Sequence, residues 1–275
     1  MLLAQISDLH IKRPGALAYR RVDTAASLAR CIARLNALTP RPDAVIMTGD
    51  LVDGGSPEEY AHLKSLLATL ELPYYLVPGN HDDRDALRDA FPERAELRAG
   101  GEFVQYALDL GPLRLIALDS VQAGQSGGTL CDARLAWLAA QLDAARGLPV
   151  VIALHHPPFD CGIAHMDAIR LAPDAATRLD ALVRQHPNVE RVICGHVHRP
   201  IFARFGGTIA SAVPAPAHQV TLDLRADGPS SFMLEPPAFA LHRYDPRTGI
   251  VTHHAYVEGA DGPYPFYDAQ GKLIE

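Results

Sequence analysis

"LPYYLVPGNHDD", residues 72–83, starts as a strand and ends in side chains that bind things. The run 72–77 is apolar and aromatic and reads as a buried strand. Pro78, Gly79, Asn80 and Asp82 then stop it, each a turn former for its own backbone reason. Alone, the segment is a strand and a turn. The fold is decided by how many other strands end in the same way.

Working outward, "LLAQIS" (2–7) runs into Ser7-Asp8-Leu9-His10, and "DAVIMTG" (43–49) into Thr48-Gly49-Asp50. "LPVVIAL" (148–154) meets His155-His156-Pro157-Pro158, and "VERVICG" (189–195) leads to Gly195-His196-Val197-His198. Helical spacing covers 22–38, 56–70, 83–91, 131–145 and about 174–186. The second of these has Ser56 as N-cap, Pro57 at the first helical position and Glu in its first turn. Strands alternating with helices predict an α/β fold built from βαβ units, with a mainly parallel or mixed sheet covered on both faces. "EFVQYALDL" (102–110) and "PLRLIALDS" (112–120) read as two strands joined at Gly111-Pro112. Beyond about 200 come short β-like runs, "IFARF", "GTIASA", "HQVTLDL", "FALHRYD" and "IVTHHAYVE". They are read as a second sheet, followed by a Pro- and Gly-rich extension that caps or dimerises. The expected division is a catalytic domain over 1–212 and, over 213–275, C-terminal strands that complete the second sheet plus the extension.

The 275 residues carry a net charge of −7, with 48% apolar and 21% charged residues. That is an ordinary globular composition and argues against binding a nucleic-acid polymer, which calls for a basic surface. It leaves room for a small anionic substrate, because bound cations invert the field locally. Four cysteines at 31, 131, 161 and 194 form no CxxC pair and read as thiols of a reducing compartment. No run approaches the ~20 apolar residues of a membrane span, and the start "MLLAQISDLH" lacks a signal peptide's basic and apolar regions. A cytoplasmic protein with no membrane partner is expected.

In open α/β sheets ligands bind beyond the carboxyl ends of the strands. Five strand ends here would turn Asp, His and Asn towards one edge. Each has an ordinary reading by itself: a strand end for Asp8 and His10, a turn for Asp50, a capping loop for His155 and His156. Together those readings require five unrelated loops to gather ligand-type residues by chance. Asp, Asn and neutral His suit Mn, Fe, Co or Zn. Seven such donors exceed the needs of one tetrahedral ion and suit two ions sharing a carboxylate. Such pairs, ~3.5–4 Å apart, support in-line displacement at phosphorus.

The series Asp8-x-His10, Gly49-Asp50, Gly79-Asn80-His81-Asp82, His155-His156-Pro157-Pro158 and Gly195-His196-Val197-His198 resembles the calcineurin-like metallophosphoesterase superfamily. Within it, "SDLH", "RPDAVIMTGDLVDGGSPEEY" and "PGNHDD" resemble the class III cyclic-nucleotide phosphodiesterase and bacterial glycerophosphodiesterase group, with "PAPAHQV" and "FALHRYD" extending the likeness to the C-terminal half. The resemblance implies a four-layer αββα sandwich of two mixed β-sheets. It implies two divalent ions, one held by Asp8, His10, Asp50 and His198, the other by Asp50, Asn80, His155 and His196. It further implies attack on a small-molecule phosphodiester by a metal-bridging hydroxide, with His81 acting on the substrate phosphate. By the same likeness His218 faces the substrate, where the alternative is a surface-loop His. Ser126 would hydrogen-bond Asn80, the alternative being an ordinary loop Ser, and Tyr19 would lie beyond it, the alternative being a packing Tyr. Glycerophosphodiesterases of this type also use their C-terminal part in assembly, so a homo-oligomer, at least a dimer, is expected.

Two rivals remain. A phosphomonoesterase or protein phosphatase on the same core needs more positive charge, and only Arg84 and Arg199 flank the motifs. A metal-free interaction scaffold should have lost ligands, and none is lost. Asp82 and Asp83 are expected to be the N-cap and first turn of the helix over 83–91.

Overall fold

The computed structural model describes residues 1–275. In chain order the elements are β1 (Leu2–Ile6), α1 (Thr24–Asn36), β2 (Ala44–Thr48), α2 (Pro57–Leu67), β3 (Tyr74–Val77), α3 (Arg84–Ala90), β4 (Tyr106–Leu110), β5 (Leu113–Ala117), α4 (Asp132–Ala144) and β6 (Val150–Ala153). They continue as α5 (Ala164–Asp167), α6 (Pro173–Arg184), β7 (Val189–Cys194), β8 (Ile201–Phe205), β9 (Thr208–Ala212), β10 (Gln219–Val220), β11 (Phe232–Met233), β12 (Ala238–Asp245) and β13 (Gly249–Tyr256).

The helices form where local chemistry favours them. Ser56 Oγ accepts from Glu59 N at 3.3 Å while the Glu59 carboxylate accepts from Ser56 N at 3.2 Å. This reciprocal cap, with Pro57 at the first position, starts α2. In α1, Leu28, Cys31, Ile32 and Leu35 recur at helical spacing and are buried, so one stripe faces the sheet.

Two mixed sheets result, flanked by helices. One runs β13-β12-β1-β2-β3 and the other β4-β5-β6-β7-β9-β8, with β10 and β11 a separate ribbon. β1, β2 and β3 are parallel, as are β5, β6, β7 and β9. Leu3, Met47, Ala117, Val151 and Ile193 share one apolar core that draws on both sheets. No helix is long and apolar enough to cross a membrane.

One expectation about the C-terminal strands is corrected. The runs at 201–212 do join the second sheet, but β12 and β13 do not complete it. β12 pairs antiparallel with β1, Leu3 opposite His242, and β13 pairs with β12, so both extend the first sheet. Alternation in "FALHRYD" marks a half-buried strand, and it carries no information about which free edge that strand will cover.

Candidate metal centre

The carboxyl ends of β1, β2 and β3 meet those of β6 and β7, and the loops leaving them bring together Asp8, His10, Asp50, Asn80, His155, His196 and His198. Close groups of potential ligand atoms include Asp8 with His10 and Asp50, and His155 with His156 and His196. The backbone is turned sharply to do this. Asp8, His10, Asp50, His196 and His198 all have positive φ, between 45° and 70°. Left-handed backbone costs a non-glycine residue roughly 1–2 kcal/mol, and such strain persists where the surroundings over-determine it, commonly at functional sites. The neighbouring glycines are required by close approach. A Cβ at Gly79 would collide with the Asp50 amide and carboxylate, and one at Gly195 with Ser7 Oγ.

The hydrogen bonds fix which imidazole nitrogens carry protons. His155 Nδ1–H donates to the Thr48 carbonyl at 2.8 Å and His198 Nδ1–H to the His218 carbonyl at 3.0 Å. His10 Nδ1–H donates to Asp53 Oδ1 at 3.2 Å. The other nitrogen of each ring presents a lone pair to the centre. There His155 Nε2 lies 3.2 Å from Asn80 Oδ1, 3.2 Å from His196 Nδ1 and 3.3 Å from Asp50 Oδ2. His10 Nε2 lies 3.3 Å from His198 Nε2 and 3.7 Å from Asp50 Oδ2, and His198 Nε2 lies 3.4 Å from Asp8 Oδ1. Asp8 and Asp50 are buried, and His196 Nε2 is a buried nitrogen with no partner. Electron pairs facing one another in a dry site repel unless a proton or a cation sits among them. A proton on His155 satisfies one of its three contacts, whereas a divalent cation answers all three. The donor set therefore fits metal.

The charges agree with this. Burial pushes the Asp8 carboxyl up, but His198 outweighs it and brings the pKa to about 2. For Asp50 burial is likewise outweighed, by His155 and His10, and its carboxyl sits well below the ordinary value. Burial pushes His155 down while the Asp50 carboxylate carries it up to about 9. His196 is pushed down to about 3, by burial and then by His155. The two carboxylates thus favour positive charge on the rings facing them, His155 beside Asp50 and His198 beside Asp8.

A cavity of about 480 Å³ opens over this centre. His81 stands on its floor. Its backbone N–H donates to Asp50 Oδ1 at 2.9 Å and its Nδ1–H to the Asp53 carbonyl at 2.7 Å, which leaves Nε2 as the ring's free atom. Burial lowers its pKa, but Asp50 and the Asp53 carbonyl outweigh that and raise it above 6.5. His218 also lines the cavity and is buried, its ring 4.7 Å from that of His198, so it is not a surface-loop residue. Tyr19 is 53% exposed and its ring lies against His218 and Phe232 at 5.2 and 5.0 Å, so it is a rim residue rather than core packing. Ser126 lines the cavity, but no hydrogen bond joins it to Asn80. Its carbonyl instead accepts from His156 Nε2 at 3.2 Å.

No Lys or Arg lines this cavity. The two flanking arginines are committed elsewhere. Arg84 donates to both oxygens of buried Asp119, at 2.6 and 2.9 Å, and Arg199 to the Val220 carbonyl at 2.6 Å and to Glu235.

Three residues support the centre in ways that sequence alone does not assign: Asp53 lies outside the motifs, while Asp82 and His156 lie within them. Asp53 orients His10 and pairs with Lys12. Its spacing three residues after Asp50 was the available signal. Asp82 is not a helix cap; Asp83 alone caps α3, accepting from Asp85 N and Ala86 N. Asp82 instead accepts from Gly79 N at 2.8 Å, Leu51 N at 3.1 Å and Tyr60 Oη at 2.9 Å, tying the two turns that carry Asp50 and Asn80. His156 is buried against Ser120 Oγ and the Ser126 carbonyl and so anchors the 120–126 loop.

Fold and centre together define a metallophosphoesterase-type hydrolase scaffold. The profile of the calcineurin-like phosphoesterase family matches residues 1–200, and the chain belongs to that family. It is 40% identical over 275 residues, all of both chains, to a probable glycerophosphodiester phosphodiesterase of Arcobacter nitrofigilis. It is 37% identical to a probable cyclic nucleotide phosphodiesterase of Rhodopseudomonas palustris, over 87% of each chain. Among solved structures, a dimetal phosphatase from Danio rerio superposes with a TM-score of 0.66 at 17% identity, covering 92% of this chain and 98% of the other, a likeness of fold.

Proposed function

We propose that the chain is a phosphodiesterase for small phosphodiesters, glycerophosphodiesters first and 3′,5′-cyclic nucleotides second, working with two divalent ions drawn from Mn, Fe, Co and Zn. Asp8, His10, Asp50 and His198 would hold one ion and Asp50, Asn80, His155 and His196 the other. When bound, the ions supply activated water and neutralise charge developing at the phosphoryl group. The observation that carries this is Asp50 Oδ2, which faces both His155 Nε2 at 3.3 Å and His10 Nε2 at 3.7 Å, as a shared carboxylate must.

The chain's own residues do the rest. The Thr48, His218 and Asp53 acceptors hold three imidazoles in one tautomer each, so no reorganisation is needed at the moment of reaction. With Nδ1 tied to Asp53, His81 offers Nε2–H to a non-bridging phosphoryl oxygen or to the departing alkoxide. A cavity without Lys or Arg suits a singly charged diester better than a doubly charged monoester. Kinetics on glycerophosphodiesters, 3′,5′- and 2′,3′-cyclic nucleotides and matched monoesters, with each metal added to metal-free enzyme, test the reading. Monoesters hydrolysed faster than every diester would reject it.

We also read the C-terminal region as a self-association surface, on the exposure of Met233, Tyr264, Phe266 and Tyr267. Light scattering at micromolar concentration should give a dimer or higher assembly; a monomer would contradict this.

A further inference from the structure

β1 carries an amide where its neighbours are apolar: Gln5, 1% exposed, faces the second sheet. Its Nε2 donates to Thr48 Oγ1 at 2.9 Å and to the Cys194 carbonyl at 3.0 Å. Thr48 and Cys194 are the last residues of β2 and β7, each followed by the glycine that opens a turn of the centre. One side chain thus grips both strand ends, one from each sheet.

Gln5 is itself held. With both amide hydrogens engaged, its Oε1 is the acceptor for His242 Nε2–H at 3.0 Å. His242 Nδ1 then accepts from Thr252 Oγ1 at 2.8 Å. His242 is 2% exposed, so each donor and acceptor in this line has one consistent direction. At the inner end, the Thr48 carbonyl accepts from both Ser7 Oγ at 3.0 Å and His155 Nδ1 at 2.8 Å. A line of polar groups therefore runs from half-buried Thr252 on β13 and His242 on β12, through Gln5 on β1, to the side chain of Thr48, the residue whose main-chain carbonyl holds the ring of His155. Networks of this kind rigidify when every member is satisfied and fail together when one is removed.

We infer that His242, acting through Gln5 and Thr48, is a positioning residue for the His155 side of the centre. The C-terminal strand pair thereby sets metal affinity there from behind, without touching metal or substrate. The inference rests on the reading of the centre as a metal site.

The test uses full-length, metal-free protein titrated with Co²⁺, followed by calorimetry and visible absorption, alongside thermal unfolding without metal. Wild type should bind two Co²⁺ per chain; failure to do so would sink the metal reading and this inference with it. His242→Leu should weaken one of the two binding steps by about tenfold, the low end for residues that act through a ligand, and alter the absorption of that ion. The other step should stay within about threefold, by the same principle. His242→Gln, whose amide N–H can serve Gln5 Oε1, should restore the affinity. A His242→Leu protein that melts earlier yet keeps both affinities and the wild-type spectrum would overturn the inference and leave the network a structural one. Should that variant not fold, Thr252→Val decides: the visible absorption of the same Co²⁺ is expected to change while that of the other is kept, and a wild-type spectrum with wild-type affinities would overturn the proposal.

Discussion

Asp53→Asn tests how the centre is held. Asp53 Oδ1 receives His10 Nδ1–H at 3.2 Å and Oδ2 receives Lys12. Burial pushes its carboxyl up, but the hydrogen bonds from His10 and Lys12 outweigh it and hold the pKa well below the usual range. The substitution keeps the shape and removes the charge. The bond to His10 drops from charge-assisted to neutral, a difference of about 1–1.5 kcal/mol. At 1.36 kcal/mol per decade that weakens binding of one ion roughly tenfold. Asp53→Ala removes the bond altogether and should cost about 10–100-fold. The main-chain carbonyl that anchors His81 at 2.7 Å is untouched by either change. Turnover at saturating metal should therefore stay within about threefold of wild type, because only ligand orientation is lost. Activity followed against buffered free metal separates the two quantities. Unchanged metal dependence with collapsed turnover would refute the reasoning and put Asp53 in the chemistry itself.

His81→Ala should keep both metals and lower turnover by about 10²–10⁴, with a smaller loss for p-nitrophenyl diesters if His81 protonates the leaving group; near-wild-type turnover on both diesters would leave His81 a turn residue. His242 is held neutral, its pKa pushed down to about 3 by burial and then by Arg191. Its folded pKa lies below the unfolded value near 6.5, so the stability it confers is full above that pH and is lost as pH falls towards 3. For this one group the loss reaches about 3 kcal/mol by about pH 4.5. Denaturant unfolding of metal-free protein at neutral and acid pH should show a flatter pH dependence in His242→Gln; equal slopes would reject the assignment.

The candidate ligand positions were legible because their chemistry recurs at strand ends: Asp8-x-His10 and His196-x-His198 repeat one pattern after β1 and β7, and α2 between them is announced by its capping box. Features that depend on tertiary contact were not legible. The sequence could not show that β12 covers β1 rather than an edge of the second sheet, nor that Ser126 meets His156 through its carbonyl. It could not show that Asp82 staples two turns instead of capping a helix, because both roles need the same short carboxylate. Gln5 sits inside the apolar run 2–7 and nothing local marks its role, because its partners lie 43, 189 and 237 residues away.

Metal content of Asp50→Ala beside wild type tests the central claim most directly. Asp50 Oδ2 faces both halves of the centre, so wild type reconstituted with a single divalent metal should carry two ions per folded chain. The variant, folded by circular dichroism, should lose both. Two ions still bound to Asp50→Ala, or one ion in wild type, would contradict a centre built around a shared carboxylate.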